Sequence, residues 1–304
     1  MLPLVEENQK EILVHIGLPK TATTSIQDSL YRNADYLLER HGIDYCVDLC
    51  QLANVSSTGH HPLAWAKFCL KHPHRVELND AKVAELISAR SNILLSSEWF
   101  TYANSQLSEV VEKWAFPKNR RVLLVYRNEF DYLRSIWLQS IKMGDNFLSF
   151  NEFYFSKYKP YRTSISQKLF HWKKAGFSVE LVSFDALVSQ RIDPAIVLIE
   201  KMYGIEVDRE YWKNGDKTNV SPPVYTVDLY RRLIVKGQRI FPSFFTKCQA
   251  GEYKLLHNKL CKVIDALFPK GAFYDFTQEK IIRDDLQSLP EYVDIDKALK
   301  ELNK

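Results

Sequence analysis

The 304-residue chain carries 41 Lys and Arg against 37 Asp and Glu, a net charge of +4, with 46% hydrophobic and 26% charged residues. That balance is ordinary for a globular protein and excludes a nucleic-acid coat or a polybasic membrane anchor. No run approaches the ~20 consecutive apolar residues of a membrane-spanning helix.

The N-terminal residues 1–11 carry Glu6 and Glu7 and lack the basic-then-apolar pattern of a secretory signal. The expectation is a cytoplasmic protein or a soluble fragment of a longer one. The cysteines, Cys46, Cys50, Cys69, Cys248 and Cys261, are odd in number and irregularly spaced. They read as free thiols in a reducing compartment, and no second Cys or His pair completes a zinc pattern.

Five short runs rich in Val, Ile and Leu, at 12–16, 43–47, 92–96, 122–126 and 179–183, predict buried strands. Amphipathic stretches at 24–40, 81–89 and 130–141 predict helices between them. This alternation predicts an α/β fold with a parallel sheet flanked by helices. After about residue 185 the pattern turns helical, at 193–203, 225–236 and 254–267, with a polar Gly- and Pro-containing loop at 212–223. No linker demands a second domain. The expectation is one domain over 1–304, with an α/β core at 12–185 and a helical cover at 186–304.

The most informative segment is ILVHIGLPKTATTSIQDSL, residues 12–30. A strand runs into Gly17, then a loop of small and hydroxyl residues, then a helix start. The unpaired amides of a helix N-terminus favour an anion. Lys20 adds a full charge, and the hydroxyls of Thr21, Thr23, Thr24 and Ser25 add donors. The loop is not a Walker A sequence, because no Gly-Lys-Ser/Thr closes it.

A second segment, RVLLVYRNEFDYLRSIWLQ at 121–139, is another strand running into a helix. Arg127 closes the strand, and Ser135 follows eight residues on. A guanidinium can fork two hydrogen bonds to a phosphate, and a hydroxyl two turns into the next helix can face it.

Together these segments resemble sulfotransferases that use 3′-phosphoadenosine 5′-phosphosulfate (PAPS). HIGLPKTATTSIQ is similar to the family's 5′-phosphosulfate loop, roughly P-K-[ST]-G-T-[ST]. Ala22 stands where Gly is usual, a modest departure if its φ is negative and a serious one if it is not. Arg127 and Ser135 match the spacing of the family's 3′-phosphate site, R-[ND]-P-x-x-R-x-x-S. Glu129 replaces its Pro and Tyr132 its second Arg.

The resemblance implies a P-loop-NTPase-like sheet and sulfuryl transfer from PAPS, with PAP as product and no metal. The implied acceptor is a hydroxyl, on a saccharide or glycan by family analogy. Lys20 would stabilise charge on the bridging oxygen. The candidate base is Glu98, in SSEWF, or His60 or His61, in STGHHPLAW, with a base elsewhere the remaining alternative. The loop 217–221, containing Asn219, resembles a late family loop over the nucleotide.

His15 reads as a core histidine. Trp99, Tyr102 and Trp212 read as core packing, with stacking on adenine or sugar the alternative. No nucleic-acid partner and no membrane insertion are expected, and the oligomeric state stays open. Membrane-anchored Golgi members make this chain either a bacterial-type cytoplasmic enzyme, the preferred expectation, or a trimmed catalytic domain. Two rival functions remain: a P-loop small-molecule kinase, which needs Mg-ATP and an Asp closing a strand, and a non-catalytic binding module on the same fold.

Overall fold

The computed structural model describes residues 10–52, 55, 57–69, 71–90, 92–214, 223–240, 250–267 and 276–289. Its contacts divide the chain into two compact units, residues 1–127 with 163–218, and residues 128–162 with 219–304.

The first unit is built on five parallel strands, β1 (Glu11–His15), β2 (Ile43–Asp44), β3 (Asn92–Ser96), β4 (Asn119–Tyr126) and β5 (Ser178–Ser183), in the order β2-β3-β1-β4-β5. His15 pairs with Ser96 on one side and Leu123 on the other. A parallel sheet covered on both faces needs apolar residues on both, which explains the near-continuous runs. Leu13, Leu94, Leu123 and Val125 pack with Ile26, Leu30, Leu37 and Leu198 from flanking helices. The alternate residues Ile12, Val14, Ile93, Leu95, Val122 and Leu124 are buried as well. The sequence-predicted α/β class with a parallel, helix-flanked sheet is therefore the observed one.

Two predicted elements change shape. The run at 43–47 pairs over only two residues, because Asp44 Oδ1 accepts from the Cys46 amide and Cys46 turns to φ 43°. The amphipathic stretch at 24–40 is two helices, α1 (Thr23–Arg32) and α2 (Ala34–His41). Asn33 breaks it at φ −111°, and its side-chain amide donates to the carbonyls of Ser29 and Lys213. Such side-chain competition for backbone groups is why Asn is poor inside helices.

The chain continues with α3 (Val47–Cys50), α4 (His61–Lys67) and α5 (Asp80–Ser88), then a 3-10 helix at Glu98–Tyr102 and α6 (Leu107–Lys113). No helix among the described residues is long and apolar enough to cross a membrane.

The second unit begins with α7 (Glu129–Met143). Its Phe130, Leu133, Trp137 and Ile141 form a core with Phe150, Phe153 and Tyr154, and with Val227, Tyr230 and Ile234 of the helix Val224–Ile240. Glu129 opens α7 and is gripped by Arg162, whose Nη2 lies 2.8 Å from Glu129 Oε2. Tyr158 donates to the same carboxylate at 3.1 Å. An acid in the first helical turn also favours the helix dipole. Glu129 therefore acts as a clamp at the start of α7.

Candidate active site

The sheet order places three loops side by side. β1 is central, and the connection that leaves it runs toward the β2 edge, whereas those that leave its neighbours β3 and β4 run toward the β5 edge. Open α/β sheets bind ligands at the carboxyl ends of strands at such a switch point. Gly17 follows β1, Glu98 follows β3 and Arg127 follows β4. All three belong to the first unit.

The loop after β1 is held by its backbone. Leu18 donates to Val125 O, and Val125 donates to Gly17 O, both at 2.7 Å. Gly17 sits at φ +81°, and a Cβ there would lie 2.9 Å from Glu98 Cβ and 3.0 Å from Glu98 Cα. Only glycine fits a left-handed conformation pressed against a neighbouring backbone.

Lys20 and Ala22 are also left-handed, at φ 69° and 58°. The Ala22 departure is thus the serious kind, since an L-residue there costs about 1–2 kcal/mol. The Thr21 hydroxyl donates to Leu18 O at 2.6 Å and is fully buried. It closes the turn rather than adding a donor to the mouth. Thr23 is buried, Ser25 half-buried and Thr24 exposed. Ala22 caps α1 without a side-chain hydrogen bond, and the first turn holds no acid.

Glu98 is held by side chains. Gln27, itself buried, donates from Nε2 to Glu98 Oε2 at 3.1 Å. Gly59 presses on that amide, and a Cβ at 59 would lie 2.7 Å from Gln27 Cδ and Oε1. The Gly59 loop is pinned in turn, because Thr58 donates to Asp28 Oδ1 at 2.6 Å and its carbonyl accepts from Tyr45 at 2.8 Å. Glu98 Oε1 has no hydrogen-bond partner among the described residues.

The histidine pair divides. His61 Nδ1 lies 2.7 Å from Ser97 Oγ and 3.8 Å from Glu98 Oε2. Burial lowers its pKa, and the Glu98 charge opposes the shift. His60 is fully buried. Its Nδ1 accepts from the Ser96 amide at 3.0 Å, so Nε2 carries the hydrogen and donates to Cys46 O at 3.3 Å. Burial pushes its pKa down to about 3. With both ring nitrogens committed, His60 is a packing residue and offers a substrate nothing.

His15 is likewise buried, with Nδ1 2.8 Å from Ser96 Oγ and a pKa pulled to about 4. Cys46, Cys50, Cys69 and Cys261 are free thiols.

Arg127 lies over the Phe184 ring at 5.0 Å, and its buried Nε has no partner among the described residues. A guanidinium stacked on a ring and left without an acid is poised for an outside anion. Ser135 lies half-buried on α7, in the second unit. Asn219 and its loop lie outside the described residues.

Gln27, Gly59 and Phe184 were not among the residues singled out from the sequence. A glutamine on a helix face and a glycine in a polar loop carry no signal until the fold brings them together. Among the described residues, no group of three His, Cys, Asp or Glu is placed to hold a metal ion.

A scan against protein-family models gives no match, and a search of curated proteins gives none. Among solved structures, the chain is similar to a sulfotransferase from Alicyclobacillus acidocaldarius, with a TM-score of 0.42 and 15% identity, covering 79% of this chain and 96% of that one.

Proposed function

We propose that the chain transfers a sulfuryl group from PAPS to an acceptor hydroxyl, with a saccharide as the acceptor class. One observation carries the reading. A lysine-bearing loop without acids, a carboxylate with one open oxygen and a guanidinium without an acid lie at the carboxyl ends of three adjacent strands. Two cationic places beside one base suit a doubly phosphorylated donor and a hydroxyl to be deprotonated.

In this reading the loop 20–25 and the first turn of α1 hold the sulfated end of the donor. Arg127 holds the distal phosphate. In-line transfer of such a group depends on position and charge, with little covalent work for the protein. The donor S–O bond breaks as the acceptor oxygen bonds to sulfur, and PAP leaves. Lys20 steadies the charge on the departing oxygen. Glu98 Oε1 takes the acceptor proton. Gln27 is a positioning residue that fixes the carboxylate by its other oxygen, and His61 stands beside it as a neutral neighbour.

The kinase reading fits less well, because the strands flanking β1 end in Ser96 and in Tyr126 followed by Arg127, with no Asp at either end. A ligand that binds only the folded state raises the melting temperature. PAP should therefore raise it in the wild type, Mg-ATP should not, and Arg127→Ala should lose most of the PAP shift. Stabilisation by Mg-ATP alone would replace this reading with the kinase.

A further inference from the structure

Beside Glu98 the structure carries a staircase of rings. Trp99 and Tyr102 follow Glu98 in the same 3-10 helix. Side chains three apart eclipse in that helix, and Tyr102 stacks on Trp99 with centroids 5.7 Å apart. His72 stands edge-on to Trp99 at 4.5 Å and lies flat on Trp65 at 4.7 Å, with planes 12° apart. Trp65 is 8% exposed and Tyr102 56%. A ring cluster serving only as core would bury its last member, whereas this one ends beside Glu98 on an exposed ring.

The segment that supplies His72 adds charge. Residues 71–79 have no regular secondary structure and are secured by those ring contacts. Lys71 and Arg75 are exposed on the segment, and neither head group has a partner among the described residues. Two unpaired cations therefore stand on the segment that packs against the rings, and the rings continue directly from Glu98.

We propose that this ledge is the acceptor subsite, and that the acceptor is a sugar ring bearing an acidic group. The flat C–H face of a pyranose packs on Tyr102 and Trp99, where dispersion and the ring quadrupole favour it. The acid pairs with Lys71 and Arg75. A neutral sugar would leave both cations unused, and a phenol would need only the rings. The proposal rests on the sulfuryl-transfer reading, which supplies the reason for an acceptor beside Glu98.

The test is tryptophan fluorescence titration of the full chain with a uronate-containing tetrasaccharide, a neutral tetrasaccharide and a simple phenol. The variants are Tyr102→Ala and the double variant Lys71→Ala with Arg75→Ala, all at exposed positions. The uronate sugar should bind best, and each variant should weaken it about tenfold. The ledge is overturned if the uronate sugar fails to bind, if the neutral sugar or phenol binds as well, or if both variants bind it like the wild type. PAP binding, followed on the same samples by calorimetry, separates the two readings. Intact PAP binding with unmoved saccharide affinity sinks the ledge alone. Absence of PAP binding sinks sulfuryl transfer, and the saccharide titration still decides the ledge.

Discussion

The loop at 17–25 and the corner at Glu98 touch at Gly17, yet they are held by opposite means. The loop is fixed by backbone bonds to β4 and by two left-handed non-glycine residues, Lys20 and Ala22. Glu98 is fixed by a partly buried chain of contacts that runs from Asp28 and Tyr45 through Thr58 and Gly59 to Gln27. The first arrangement sets a lysine on a left-handed turn at the start of α1. The second completes itself and leaves one oxygen over. A charged ligand can repay strain in the loop, whereas a base must be aimed before the substrate arrives.

The largest expected break in this comparison is Lys20→Ala. It should cut transfer by about a hundredfold or more, the scale of losing one charge-stabilising group. Single-turnover kinetics would measure it, and unchanged transfer would remove the role given to Lys20.

Acid should next strike the corner rather than the loop. His15 and His60 titrate near 4 and near 3 in the fold, well below the usual 6.5. As pH falls below about 6.5 the unfolded chain takes up protons that the folded chain refuses. Stability is therefore complete above that pH and drains away toward pH 4. Between pH 7 and 5.5 the loss should be on the order of 2 kcal/mol for the two histidines together. Urea midpoints at both pH values test this, and His60→Gln should roughly halve the slope.

Gln27→Met should lower kcat about tenfold, the worth of one hydrogen bond to a charged group, and leave PAP affinity unchanged. A parallel loss of PAP binding would make Gln27 a general packing residue instead.

The smallest effect is a gain. Ala22→Gly should stabilise the chain by about 1 kcal/mol in denaturant melts, because glycine carries no penalty at φ 58°.

The strands at 92–96 and 122–126 were legible because a doubly covered sheet demands near-continuous apolar runs. The loop at 17–25 was legible because anion chemistry concentrates its residue types in one short segment. Glu98 was legible from the strand that precedes it. The split between His60 and His61 was not, since adjacent residues on a helix start face different surroundings and composition cannot say which ring is walled in. The break at Asn33 was hidden for a similar reason, because its partner Lys213 lies 180 residues away. The strain at Ala22 needed a dihedral angle that no residue name supplies.

Gly59 has one more consequence. It has no side chain and takes no part in chemistry, but the space it leaves empty is where the Gln27 amide lies, and that amide aims Glu98. The orientation of the Glu98 carboxylate is thus set partly by a missing methyl group on a neighbouring loop. A residue of any size at 59 would turn the carboxylate without touching it, so tolerance at this position measures how finely the proposed base must be aimed.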